Sequence, residues 1–89
     1  GGIKYHVCRM STQGRFVFRL DYLGRRFPFS EEKVRRELLN KINGIPEVQF
    51  KDDVLNRKAR IPFEKLTSQE AMSKLQEAVL WLIEQIPRD

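Results

Sequence analysis

The chain has 89 residues, enough for one domain that buries only about 60–65% of its unfolded surface. Apolar residues make up 40% and charged ones 33%, which excludes a disordered segment, and no apolar run approaches the ~18 residues that span a bilayer. The formal net charge is +5 and it is unevenly placed: residues 1–63 hold 14 Lys/Arg against 7 Asp/Glu, whereas residues 64–89 hold 3 against 5.

Gly1-Gly2 reads as a tag remnant, and the abrupt strand pattern after it points to a piece excised from a longer protein, with a single domain over residues 3–86. Ile3, Tyr5 and Val7 alternate with Lys4, His6 and Cys8, and Phe16, Phe18, Leu20 and Tyr22 alternate with Arg15, Val17, Arg19 and Asp21. Period-two alternation predicts two half-buried strands, joined through Ser11-Thr12-Gln13-Gly14 as an antiparallel hairpin. Leu23-Gly24-Arg25-Arg26 then breaks the pattern.

Ser30 followed by Glu31 and Glu32 reads as the start of a helix over 31–42, with Phe29 and Val34 at the spacing of a hydrophobic staple. Val34, Leu38 and Ile42 form its buried stripe, and Asn43-Gly44 with Pro46 stops it. On its other face Glu31, Glu32 and Glu37 each precede a cation by four residues, Arg35, Arg36 and Lys41, as solvated stabilising pairs.

Val48 and Phe50 alternate with polar neighbours as a short third strand, Asp52-Asp53 marks a turn, and Ala59, Ile61 and Phe63 give a fourth strand. Pro62 has no amide donor, so this fourth strand lies at a sheet edge or ends there. A last helix starts at Thr67, where Thr67 and Glu70 have capping-box spacing, and runs to Ile86 before Pro87. Leu75, Val79, Leu82 and Ile86 are its core stripe; Leu80 and Trp81 fall about 140° and 120° from the stripe centre. Trp81 can lie over a sheet edge or loop with Leu80 a scattered exposed residue, or the pair can contact another domain or a second copy.

These elements predict a two-layer α+β domain of order β-β-α-β-β-α, with a mainly antiparallel four-stranded sheet and two helices on one face. Catalytic chemistry has little to build on. His6 and Cys8 give two ligands where structural zinc takes four, and two same-face strand residues sit too far apart for a nucleophile pair. Cys8 alone makes no internal disulfide, and a reducing cytoplasm is the expected compartment. Gly14, Gly24 and Gly44 are too scattered for a phosphate loop, Asp52-Asp53 reads as a turn pair, and Glu47-Val48-Gln49, the nearest approach to a two-metal nuclease core, lacks the lysine such a core requires. The expectation is a non-enzyme with no cofactor and no metal.

What remains is the basic surface. Arg15 and Arg19 on the hairpin, Arg25 and Arg26 in the following loop, and Lys58 and Arg60 on the fourth strand are candidates for one positive sheet face that contacts nucleic-acid phosphates. Phe16, Phe18 and Tyr22 alternate away from the arginines, so backbone contact is expected in preference to base stacking. The alternative is a protein-interaction or dimerisation module built on Leu80 and Trp81, the cations then merely solvating a strand face and discouraging edge pairing.

The segment from Ile61-Pro62-Phe63-Glu64-Lys65-Leu66-Thr67-Ser68-Gln69-Glu70 through Leu75 to Leu80-Trp81-Leu82-Ile83-Glu84-Gln85-Ile86 resembles the C-terminal accessory domains of poorly characterised bacterial nuclease and restriction-modification-type proteins. The shared pattern is an isoleucine-proline strand end, a leucine, a capped helix and a late tryptophan. The resemblance implies a nucleic-acid-associated accessory module whose cleaving residues sit in a separate domain; a neighbouring domain of the parent protein or a homodimer mate is the protein partner that Leu80 and Trp81 would meet.

Overall fold

The structure, a computed structural model, describes the backbone of residues 8–11 and residues 14–86 in full. Strand β1 (Cys8–Ser11) pairs antiparallel with β2 (Arg15–Arg19), which pairs antiparallel with β3 (Lys58–Pro62), in the order β1-β2-β3. Between β2 and β3 lie a single helical turn α1 (Leu20–Leu23), helix α2 (Glu32–Ile42) and a 3-10 turn (Asp52–Asn56). A second 3-10 turn (Phe63–Leu66) leads into helix α3 (Gln69–Gln85).

The α+β class stands, but the expected four-stranded sheet with two helices does not: among the described residues the sheet has three strands and there are three helices. The missing strand is Val48–Phe50. Val48 is buried as its pattern demands, yet among the described residues the segment pairs with no strand, and the Asn43 side chain takes the place of one. Its Nδ2 donates to Phe50 O at 3.0 Å and its Oδ1 accepts from Phe50 N at 2.8 Å. One carboxamide thus supplies the donor and acceptor that a neighbouring strand would have offered.

The extra helix arises where the alternation of β2 runs too far. Leu20 and Tyr22 continue the strand pattern, but the chain turns helical at Leu20, with Asp21 N bonded to Arg57 O and Gly24 N to Leu20 O. Leu20 and Leu23 are then buried at helical spacing, which a strand reading places on opposite faces. The hairpin closes on Gly14 at φ +78°, where a side chain would be strained.

β1 also departs from expectation. The run Ile3–Val7, with Lys4 and His6, lies outside the described residues. Within β1, Cys8 is registered opposite Phe18 and Arg9 opposite Val17, the reverse of the parity that put Cys8 on the polar face. Among the described residues β3 is an edge strand, and it ends at Pro62, registered against Arg15.

α2 and α3 pack on the sheet face that carries Phe18, Ala59 and Ile61, and Leu38, Ile42, Leu75, Ala78 and Leu82 complete the core. α3 is capped one residue later than its sequence suggests: Ser68 Oγ accepts from Ala71 N at 3.0 Å, while Thr67 Oγ1 donates to Glu64 O. Its buried line is Ala71, Leu75, Ala78 and Leu82, rotated from the expected stripe so that Val79 is half-buried and Met72 and Ile83 are exposed.

Candidate functional site

The face of the sheet away from the helices is set by the β2–β3 register. Arg15 is opposite Pro62, Val17 opposite Arg60, and Arg19 opposite Lys58, and directly paired residues share a face. Four expected phosphate contacts, Arg15, Arg19, Lys58 and Arg60, therefore stand together. Val17 lies at their centre and is buried, 3% exposed, although it points away from the core cluster. Arg15 and Arg60 are exposed and neither makes a side-chain hydrogen bond or ion pair among the described residues.

Arg19 and Lys58 are engaged locally. The Lys58 ammonium is 3.5 Å from Asp21 Oδ2, so one of the four already has a counter-charge. The Arg19 guanidinium stands 5.4 Å from the centroid of the Tyr22 ring, and the Arg25 guanidinium 5.5 Å from the same ring. One aromatic ring thus brings the loop cation Arg25 to the end of the sheet face, holding both groups by attraction to its π-cloud. Arg19 Nε is buried and has no hydrogen-bond partner among the described residues. Arg26 is exposed, with its backbone fixed by Arg26 N to Leu23 O and Ser30 N to Arg26 O, and its side chain has no partner among the described residues.

The helix cations do other work. Arg36 bonds Asp52 at 2.8 Å and Glu32 at 3.2 Å, and these contacts, Asp52 first, hold its guanidinium above its ordinary pKa. Arg35 does not pair with Glu31 as its spacing suggests. It is buried, 8% exposed, and donates to Phe29 O at 2.7 Å, Ser30 O at 3.2 Å and Asn56 Oδ1 at 3.4 Å, tying the start of α2 to the 3-10 turn before β3. Lys41 lies 5.3 Å from the Trp81 ring centroid.

Trp81 and Leu80, the expected interface pair, part company. Trp81 is half-buried and meets Phe29 edge-on at 6.0 Å, whereas Leu80 is 62% exposed beside a groove of about 570 Å³ between α2 and α3. Lys41 and Lys74, with Glu77 and Glu84, line that groove in balanced charge.

Two residues escaped the sequence reading. Arg9 occupies the β1 position opposite Val17, in line with Arg60 across the sheet; only the strand register, which periodicity misjudged, would have found it. Phe27, directly after Arg25-Arg26, is 71% exposed, the most exposed large apolar side chain among the described residues. Its signal was an aromatic inside a basic loop.

Among the described residues no group of three or more His, Cys, Asp or Glu side chains gathers as a metal site would, and no helix is long and apolar enough to cross a membrane. No protein-family model, no curated protein and no solved structure matches the chain.

Proposed function

We propose that this domain is a non-catalytic accessory module, cytoplasmic and bacterial in setting, that holds the phosphates of DNA against its outer sheet face. The observation that carries the reading is the convergence of Arg15, Arg19, Lys58 and Arg60 on one face through the β2–β3 register, with Lys58 alone of the four in an ion pair among the described residues. Arg25 joins them through Tyr22, and Arg26 follows it in the same loop. Phosphate binding of this kind positions a protein without reading bases, which fits a module working beside a separate nuclease core of the restriction-modification type.

The test is a salt titration with a mixed-sequence duplex. Four neutralised phosphates give a log–log slope of about −3.6, hence an affinity loss of about 100-fold between about 50 and 200 mM salt. Replacing Arg15 and Arg60 together by Ala halves that slope to about −1.8 and weakens every sequence alike. No binding by the wild type at low salt, or an unchanged slope in the double variant, refutes the reading.

The rival, an interaction or dimerisation surface on α3, keeps one observation in its favour: Leu80, Ile83 and Met72 are 62, 52 and 40% exposed. Three partly exposed side chains fall well short of the ~800 Å² per partner of a standard interface, so this surface serves at most as a contact with a neighbouring domain.

A further inference from the structure

We infer that Phe27 is a base-stacking residue, which directs the basic face toward DNA with unpaired bases, that is, single strands or frayed junctions. The inference rests on the phosphate-binding reading and adds to it the class of nucleic acid preferred.

Phe27 has no place in the fold's own packing. Leu20, Leu23 and Phe29 on either side of it are buried in the core, while Phe27 stands out at 71% exposure. Burying a phenylalanine takes its ring out of water and stabilises a domain, and here that gain is forgone. The loop is not loose: Gly24 N to Leu20 O, Arg25 N to Tyr22 O, Arg26 N to Leu23 O and Ser30 N to Arg26 O close it turn upon turn, so the ring is presented from a hydrogen-bonded support.

Its surroundings are cationic. Arg25 and Arg26 precede it, and since consecutive Cα atoms are 3.8 Å apart, the Phe27 Cα is at most about 7.6 Å from that of Arg25. Arg25 in turn shares the Tyr22 ring with Arg19, the end of the sheet face. A strand whose phosphates track from Arg60 and Arg15 along the face to Arg19 and Arg25 therefore arrives beside an exposed aromatic. Cations following the backbone with an aromatic that takes a base is the chemistry of single-strand sites, and it is indifferent to sequence because every base has a π-face. Among the described residues, the β2–β3 face offers Val17 and Pro62 between its cations and no aromatic, so stacking is assigned to this one end. A paired duplex keeps its bases stacked on one another and gives Phe27 no partner.

The experiment compares the full chain and its Phe27→Ala variant on a thymidine oligonucleotide and on a blunt duplex of equal length at low salt. Loss of about 5- to 150-fold on the single strand, the range measured for one stacked base, with duplex binding within about twofold, is the expected result. Phe27→Tyr keeps single-strand affinity, and an unchanged thermal midpoint for both variants shows that the fold is intact. If Phe27→Ala leaves single-strand affinity unchanged while Arg15→Ala with Arg60→Ala weakens both substrates, the stacking role is wrong and the phosphate-binding reading stands. Equal losses on both substrates overturn the preference for unpaired bases. If the wild type binds neither, both readings fall; if Phe27→Ala alters only the sedimentation of the chain, the ring is a protein contact.

Discussion

Asn43→Ala tests the mechanism that replaces the expected third strand. The substitution removes the 3.0 Å bond to Phe50 O and the 2.8 Å bond from Phe50 N together, and leaves both backbone groups half-buried with no partner. Each lost hydrogen bond removes about 0.5–1.5 kcal/mol, and water reaching a half-buried site keeps the desolvation penalty low, so the expected destabilisation is about 1–3 kcal/mol. Alanine introduces no backbone cost, because Asn43 sits in the right-handed helical region, φ −72° and ψ −7°. In urea the midpoint falls while the slope is kept, and the thermal midpoint falls by about 4–8 °C for each kcal/mol lost. Asn43→Asp separates the two bonds: it keeps an acceptor for Phe50 N, but it sets a carboxylate oxygen against Phe50 O and a negative charge at the C-terminal end of α2, and this repulsion offsets the retained bond, so its midpoint lies at or below that of the alanine variant. A loss within about 0.5 kcal/mol for Asn43→Ala would show that the 48–50 segment is held by the burial of Val48 alone and refute the argument.

Leu82→Ala in the fully buried line of α3 costs about 2–5 kcal/mol as a cavity, whereas Leu80→Ala, 62% exposed, stays within about 0.5 kcal/mol; equal midpoints in chemical denaturation would mean that the helix is rotated from its described position. Arg35→Lys destabilises the domain by about 1–3 kcal/mol, because a point-charge ammonium cannot serve Phe29 O, Ser30 O and Asn56 Oδ1 from one planar fork; wild-type stability in the same denaturant titration would assign those carbonyls to water instead.

The core was legible because burial follows periodicity. Phe18, Leu38, Ile42, Ile61, Leu75 and Leu82 all lie inside, as their spacings predict, and helix α2 begins within a residue of the expected start. What the sequence hid was the choice between local and long-range partners. The 48–50 segment reads as a strand because Val48 needs burial, but burial does not say who satisfies the backbone, and Asn43 looks like nothing more than a helix stop. Leu20 and Tyr22 fit a strand and a helical turn equally well; the bond from Asp21 N to Arg57 O, 36 positions away in the chain, selects the helix. At the site, the alternation of Arg15 and Arg19 on β2 and of Lys58 and Arg60 on β3 was visible, since parity within a strand is local. The parity of β1 relative to β2 was not, because a one-residue slip across the hairpin exchanges its faces.

Charge available to a ligand is a different quantity from charge in the composition, and the arginines make the difference plain. Arg35 is consumed in holding carbonyls, Arg36 in holding Asp52 and Glu32, and Lys58 in part by Asp21. A guanidinium already bonded to a carboxylate must give up that contact before it can take a phosphate, so these side chains add little to binding even where they are exposed. Arg15 and Arg60 have no such contact to lose among the described residues, and Arg19 and Arg25 give up only the weaker attraction of a tyrosine ring. Of the α2 arginines, both Arg35 and Arg36 are thus already engaged, whereas Arg15 and Arg60 on the sheet face are not among the described residues. That asymmetry follows from where the carboxylates lie: Glu32 and Asp52 sit beside Arg36 on the α2 side, while among the described residues Asp21 alone pairs with a cation of the sheet face.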